Sequence, residues 1–284
     1  MGHPFADALQ WHIDNGVDVP VGDHPVNRMA RPEAPINQPP AANHPAPADA
    51  MIPALPRSVM PAAPVSGSFA TQKQAAIDAA RACTSLESLR EAIRAYDGLE
   101  VKRTATNLVF ADGNPSARVM VVGEAPGADE DRQGLPFVGV SGQLLDRMFD
   151  CIALNRKAPD AKDSLYISNI LNWRPPGNRT PTDSEIALAL PFIERHIAIV
   201  RPQYLVLAGA VAAKGLLNSD QSISKLRGKF HDYQFITPGI ADGLPAPQTA
   251  IRAMPTYHPS FLLRTPVQKR KAWQDLLMLQ AALG

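Results

Sequence analysis

The sequence has little cysteine, almost no net charge and no long apolar run, and each shortage excludes a class of protein. Only two of its 284 residues are cysteines, Cys83 and Cys151, so we expect neither a disulfide scaffold nor a zinc ribbon. Its 28 basic and 27 acidic side chains leave a net charge of +1, so a nucleic-acid partner needs a local basic patch. With neither a membrane-length apolar run nor a secretory leader, we expect a cytoplasmic protein without a membrane partner.

Proline is concentrated at one end of the chain. The first 66 residues contain 13 of the 28 prolines, which favours a flexible or polyproline-like segment. We therefore predict a largely flexible extension over residues 1–67, with one short helix at 4–15 where apolar residues recur at helical spacing. Residues 68–284 have a globular composition and form the predicted folded domain.

Apolar runs alternate with amphipathic segments through the folded part. The runs predict strands at 117–122, 165–171, 203–209 and 251–257, and residues 71–96 predict one or two helices. Further helices are predicted at 141–154, 182–200, 208–218 and 267–284. This alternation indicates an α/β fold with three layers, α/β/α, around a central, mainly parallel sheet. Ligands of such folds gather beyond the carboxyl ends of the strands.

The first strand runs into GEAPGADEDRQGLPFVG, which combines glycines, four carboxylates and a lone phenylalanine. Taken alone, this is most simply a strand-to-helix loop whose acids cap a helix. A phosphate-binding loop is excluded, because neither GxGxxG nor GxxxxGK[ST] is present and the carboxylates would repel phosphate.

Two further segments carry polar groups at predicted strand ends. Asn169 in YISNILNWRPPGNRTP lies in or at the end of a buried strand, where an amide must be paired. It either ties down a loop or reads a base edge that presents one donor beside one acceptor. His258 in YHPSFLLR ends a strand before a proline, and a basic run, 269–271, follows. A lone histidine or arginine pair is more often structural than functional.

In these three segments the chain resembles bacterial uracil-DNA glycosylases of family four. The resemblance covers roughly residues 104–283, and the three motifs occur in the family's order with suitable spacing. It implies an enzyme of base excision repair that flips uracil out of DNA and hydrolyses the bond between base and sugar. The implied partner is uracil-containing DNA, and we expect the enzyme to act as a monomer.

The resemblance also implies roles for individual residues. Phe137 would stack on the base, Asn169 would read its O4 and N3–H edge, and His258 would stabilise the charge that develops on O2. Glu124 or Glu130 would orient the attacking water; the sequence leaves both open. The backbone from Gly123 through Glu124 to Ala125 would line the pocket. The expected DNA contacts are a wedge at Leu262 and the cations Arg174, Arg179, Arg264 and Lys269.

One departure from the family concerns its iron–sulfur cluster. Family-four enzymes usually hold a [4Fe–4S] cluster through four cysteines, but three matched positions here are Leu99, Trp173 and Ala189. We therefore predict an atypical member with no metal and no cofactor. The alternative function is a protein that binds uracil or abasic sites with little or no turnover. A related group that forms a covalent adduct carries a basic, histidine-containing insert, and no KRRIH-like insert is present here.

Overall fold

The predicted apolar runs form the parallel strands of a six-stranded sheet in the computed structural model, which describes residues 68–247 and 249–284. The predicted extension over 1–67, including the helix at 4–15, lies outside these residues. The parallel strands are β2 (Val119–Gly123), β3 (Leu165–Asn169), β4 (Tyr204–Ala208) and β6 (Arg252–Thr256).

Two short antiparallel strands border the sheet and were not predicted. They are β1 (Asp112–Gly113), paired with β3, and β5 (His231–Asp232), paired with β6. The order across the sheet is β1-β3-β2-β4-β6-β5. Strands of two residues are too short to show an alternating pattern, which explains why the sequence does not reveal them.

The helices follow the predicted segments closely, with three short additions. The long ones are α1 (Phe69–Arg81), α2 (Leu86–Ala95), α4 (Val140–Asp150), α5 (Asp183–Val200), α6 (Ala210–Leu217) and α9 (Lys269–Leu283). The short ones are α3 (Ala128–Gln133), α7 (Ile223–Leu226) and α8 (Pro259–Arg264). Segment 71–96 thus contains two helices, and Ser85 caps the second by accepting from the N–H of Ser88.

Successive residues of β2 point into two separate apolar cores. Met120 and Val122 pack with residues of α1, α2, α5 and α6, whereas Val119 and Val121 pack with residues of α4 and α9. A strand buried on both faces requires helices on both sides of the sheet. The predicted three-layer α/β/α class with a mainly parallel sheet is confirmed.

The order of the parallel strands fixes where a ligand can bind. The chain passes from β2 outward to β3 and then returns to the other side of β2 to form β4. The loops that follow β2 and β4 therefore diverge, and the crevice between them is the usual binding place in such sheets. Within the described residues, no helix is both long and apolar enough to span a membrane.

Candidate active site

A cavity of about 750 Å³ opens at the carboxyl ends of all four parallel strands. Each strand contributes residues through the segment that follows it, and α7 and α8 close the sides. Predicted site residues that line the cavity are Glu124, Ala125, Glu130, Phe137, Asn169, Arg179, His258 and Arg264. Gly123, the last residue of β2, lies beneath them and is buried. The fold thus brings together residues from all three motifs.

Gly123 allows Asn169 and Phe137 to approach each other at the floor of the cavity. A Cβ at position 123 would overlap Asn169 Oδ1 and lie 2.6 Å from Phe137 Cζ. Neither neighbour could move away easily, because both side chains are buried. The absence of a side chain at Gly123 therefore lets the amide and the aromatic ring lie close together. We call the part of the cavity that these two side chains line the slot.

Asn169 is 2% exposed, and its Oδ1 atom has no hydrogen-bond partner among the described residues. Burying a polar atom without a partner costs free energy, so such atoms are uncommon in folded proteins. The oxygen adjoins the slot and can accept a hydrogen bond from a ligand that enters it. This differs from Asn172, whose Nδ2 donates to the carbonyl of Val109 at 3.0 Å and so ties down a neighbouring segment.

His258 precedes α8, and its imidazole faces Phe137 with ring centroids 5.4 Å apart. Its Nδ1 accepts the backbone N–H of Ser260 at 3.2 Å and lies 2.8 Å from the Ser260 hydroxyl. An Nδ1 that accepts a backbone N–H carries no proton, so the neutral ring carries its proton on Nε2. Gly209 makes room for this ring, since a Cβ there would lie 3.1 Å from the Cβ of His258.

The electrostatic environment keeps His258 uncharged at neutral pH. Burial lowers its pKa to about 4, Arg264 adds to this effect, and Glu130 acts in the opposite direction. A neutral imidazole with a proton on Nε2 donates one hydrogen bond to an oxygen on which negative charge develops.

The two candidate carboxylates have different surroundings. Glu130 is buried, and its oxygens accept the backbone N–H groups of Gly127, Val138 and Gly139 at 3.0–3.1 Å. Glu124 lines the cavity, makes no side-chain hydrogen bond within the described residues, and has its pKa raised by burial. The geometry therefore favours Glu124 as the carboxylate free to hold a water, and Glu130 as a group that fixes the loop.

The predicted cationic contacts are divided between two places. Arg264 and Arg179 line the cavity, but Arg179 also forms a bidentate pair with Glu185 at 2.6 and 2.8 Å. Arg174 lies outside the lining and donates to Asn178 Oδ1 at 2.7 Å. Lys269 is exposed at the start of α9, beside a separate shallow depression.

Leu262 does not occupy the position expected of a wedge. Its side chain is fully buried and packs against Leu144, Tyr257 and Ala272. The phase of α8 turns position 262 inward and leaves Leu263 37% exposed. Leu262 therefore packs α8 against the domain, and Leu263 is the leucine of α8 that presents an exposed side chain.

The sequence did not identify one wall of the cavity. Ile223 and Ser224 of α7 line it together with Tyr257 and Phe261, and Ser224 Oγ lies 3.2 Å from the hydroxyl of Tyr257. The only available signal was the run SISKLRGK, in which two hydroxyl groups are followed by three cations. That composition is common on solvated surfaces and does not by itself indicate a site.

A family model described as the uracil DNA glycosylase superfamily matches residues 110–277, a span that includes the whole cavity. The chain belongs to the uracil-DNA glycosylase superfamily. A type-4 uracil-DNA glycosylase of Sulfurisphaera tokodaii is 34% identical to this glycosylase domain, over 67% of this chain and 81% of the relative. Type-4 enzymes of Pyrobaculum aerophilum and Thermotoga maritima are 32% and 33% identical, over 68% and 63% of this chain and 92% and 83% of theirs.

The residues present do not fit the iron–sulfur cluster that the family resemblance implies. A [4Fe–4S] cluster takes four thiolates, whereas this chain has two cysteines, Cys83 buried and Cys151 exposed. The matched positions Leu99, Trp173 and Ala189 are each at most 6% exposed and belong to one apolar core. Among the described residues, no group of three or more His, Cys, Asp or Glu side chains could hold a metal ion.

Proposed function

We propose that the protein is a uracil-DNA glycosylase that removes uracil from DNA and leaves an abasic site. Asn169 Oδ1 carries the proposal, because it is a buried acceptor without a partner that adjoins the slot beside Phe137. Uracil supplies the missing donor through N3–H, and its O4 accepts from the Asn169 amide nitrogen. Cytosine presents the opposite pattern at both positions and is rejected.

In the proposed reaction the base flips into the cavity and stacks on Phe137. The bond between C1′ and N1 breaks, and its electron pair passes to the departing base. His258 Nε2–H donates to O2, where the negative charge develops. A water held by Glu124 bonds to C1′ and gives its proton to the carboxylate. The carboxylate then releases this proton to solvent and the uracil anion takes one up, so that the products are uracil and an abasic deoxyribose.

The DNA contacts follow from the positions of the cationic residues. Arg264 lines the cavity and binds the phosphates of the flipped nucleotide, and Lys269, exposed at the start of α9, binds a phosphate outside the cavity. Leu263 is the exposed apolar residue of α8 that fills the vacated base stack. We also propose that a monomer carries out the reaction, in the cytoplasm.

We further propose that the protein folds and works without an iron–sulfur cluster. The support is the packing at the matched positions: Leu99, Trp173 and Ala189 are buried in the same core as the helices around them. Large apolar side chains there contribute about 25 cal/mol per Å² of apolar surface removed from water, and so replace a metal cross-link by packing.

One assay separates the proposed function from its alternative. The protein is incubated with a uracil-containing oligonucleotide, and both free uracil and retained DNA are measured. Release of uracil with multiple turnovers supports the glycosylase. Retention of the DNA without release supports a protein that binds uracil or abasic sites. If the protein neither releases uracil nor retains the DNA, both proposed functions are contradicted.

A further inference from the structure

The backbone at Phe137 is unusual for a bulky residue. Its φ angle is 54°, in the left-handed region that non-glycine residues seldom occupy. Such a conformation persists only where the surroundings hold it. The carbonyl of Phe137 is also tightly enclosed, since a Cβ at Gly142 of α4 would overlap it. Neighbouring groups must therefore hold the backbone of Phe137 in this conformation.

Charged groups hold the turn from both sides. On one side Glu130 Oε1 accepts the N–H groups of Val138 and Gly139, each at 3.0 Å. On the other side Arg156 donates to the carbonyls of Pro136 at 2.9 Å and of Phe137 at 3.0 Å. The peptide groups around Phe137 are thus bonded through both their donors and their acceptors.

Arg156 is itself firmly anchored. It is 8% exposed, and its guanidinium pairs with Asp146 of α4 at 2.7–2.8 Å and with Asp112 of β1 at 3.0 Å. A planar fork of donors can serve two carbonyls and two carboxylates at once, which a lysine ammonium cannot do. Arg156 does not line the cavity. Any effect on the reaction must therefore pass through Phe137.

We propose that Arg156 is a positioning residue that sets the stacking face of Phe137 before the base arrives. It holds the carbonyls of Pro136 and Phe137, and thereby keeps the left-handed turn that directs the ring toward the slot. The proposal rests on the role proposed above for Phe137. Arg156 would thus affect the capture of the base but not the binding of phosphates, although it lies outside the cavity.

A second buried arginine provides a matched control. Arg195 is 1% exposed and donates to the carbonyls of Cys83, Ile240 and Asp242 at 2.7–2.9 Å. Like Arg156 it donates to backbone carbonyls, although it pairs with no carboxylate among the described residues, and it lies in the core on α5 and not beside the cavity. Substituting either arginine should lower the stability of the protein, whereas only a substitution of Arg156 should impair the capture of the base.

The test is a double-mutant cycle on single-turnover release of uracil from an oligonucleotide. Arg156→Gln, Arg156→Lys and Arg195→Gln are each measured alone and combined with Phe137→Ala. We expect Arg156→Gln to slow release by about ten- to hundredfold when Phe137 is present, the scale of a small misplacement at a reacting centre. With Phe137→Ala the same change should cost less than about twofold, because the ring to be positioned is gone.

The control variants separate positioning from folding. Arg156→Lys keeps the charge but not the fork, and should restore only part of the rate. Arg195→Gln should lower the melting temperature and change the rate equally in both Phe137 backgrounds. The proposal is overturned if Arg156→Gln slows release equally with and without Phe137, or if its loss matches the fraction of unfolded protein.

Binding measurements identify which step is affected and stand apart from turnover. Arg156→Gln should weaken binding of free uracil while leaving affinity for DNA with a tetrahydrofuran abasic analogue unchanged. Equal weakening of both would contradict the proposal. If the unmodified protein releases no uracil, the proposed function fails, and the dependence of uracil binding on Arg156 and Phe137 still decides whether Arg156 positions the ring.

Discussion

Asn169 and Trp173, at the two ends of the segment 169–173, have different surroundings. At Asn169 a buried oxygen has no partner among the described residues, and Glu124 and His258, which line the same cavity, have pKa values shifted by burial, so this end can bind a polar ligand. At Trp173 the surroundings are apolar and packed, and Leu99 and Ala189 belong to the same core. The first place has an unpaired oxygen at the wall of the cavity, whereas the second, although Trp173 Nε1 is also unpaired, is filled by apolar side chains where relatives of family four use a cluster.

The largest expected effect concerns the cavity and tests which of its carboxylates acts in the reaction. Glu124→Gln removes the proposed base and should lower single-turnover release of uracil by about two to four orders of magnitude. Glu130→Gln keeps an oxygen that can accept from Val138 and Gly139, and should cost much less. The measurement is the rate of uracil release from an oligonucleotide, with melting temperature as the control for folding.

The pH dependence provides an independent check on Glu124. Burial raises its folded pKa above the ordinary value of 4.5, so the carboxylate gains its proton, and activity falls, as pH drops through that raised value. This acid limb should disappear from the residual activity of Glu124→Gln and remain in Glu130→Gln. The opposite pattern would assign the water to Glu130.

The next prediction tests whether Trp173 stabilises the protein by packing. Trp173→Ala should destabilise the protein by about 3–5 kcal/mol, since a buried indole leaves a large cavity. Trp273→Ala on α9, where the ring is 40% exposed, is the matched control and should change stability by less than about 0.5 kcal/mol. Urea unfolding measures both. Equal costs would show that Trp173 does not replace a structural element by packing.

Trp173→Phe refines that result. The Nε1 of Trp173 is buried without a hydrogen-bond partner in the described part of the chain. Phenylalanine removes this unpaired donor and keeps most of the apolar volume, so we expect a cost below about 1.5 kcal/mol. The purified protein should also be colourless and free of stoichiometric iron and sulfide. A brown preparation that absorbs near ~400 nm would contradict the cluster-free proposal.

The sequence could predict the fold because the parallel strands are unusually regular in their burial. Continuous apolar runs identified β2, β3, β4 and β6, and capped periodic segments identified the long helices. The site residues then met because parallel strands end at one edge. The edge strands β1 and β5 were missed, since two residues carry no periodic signal.

Other features of the site depend on contacts that sequence spacing does not encode. Leu262 was chosen by its distance from His258, but the phase of α8 buries it and exposes Leu263. Glu130 and Glu124 could not be separated, because the partners of Glu130 include backbone N–H groups eight and nine residues away. Arg156 belongs to no motif, and its contacts reach across 19 and 20 residues to the carbonyls of the turn.

A smaller loss of rate is expected at His258. His258→Ala should slow single-turnover release by about two to three orders of magnitude, the cost of removing one donor from a developing oxyanion. Affinity for DNA should fall much less, since phosphate contacts supply most of it. Ser260→Ala should have a milder effect, because the backbone N–H of Ser260 still holds His258 Nδ1 as an acceptor.

The outcome that would remove His258 from the reaction is an unchanged rate with weaker binding. In that case the residue contacts DNA instead of stabilising the leaving base. At pH 7 the ring is neutral, since its pKa is lowered to about 4, so the lost binding could not be attributed to a lost cation.

The smallest effect on the proposed reaction concerns the choice of base and tests the amide of Asn169. Asn169→Asp removes the amide donor to O4, and should reduce discrimination between uracil and cytosine by about 1–3 kcal/mol, the value of one bidentate base contact. Asn172→Asp is the matched control, since that amide is also buried but bonds the carbonyl of Val109. It should lower stability and leave discrimination unchanged. Rates on paired oligonucleotides containing either base give the ratio, and an unchanged ratio in a folded Asn169→Asp protein would mean that the Asn169 amide does not read the base.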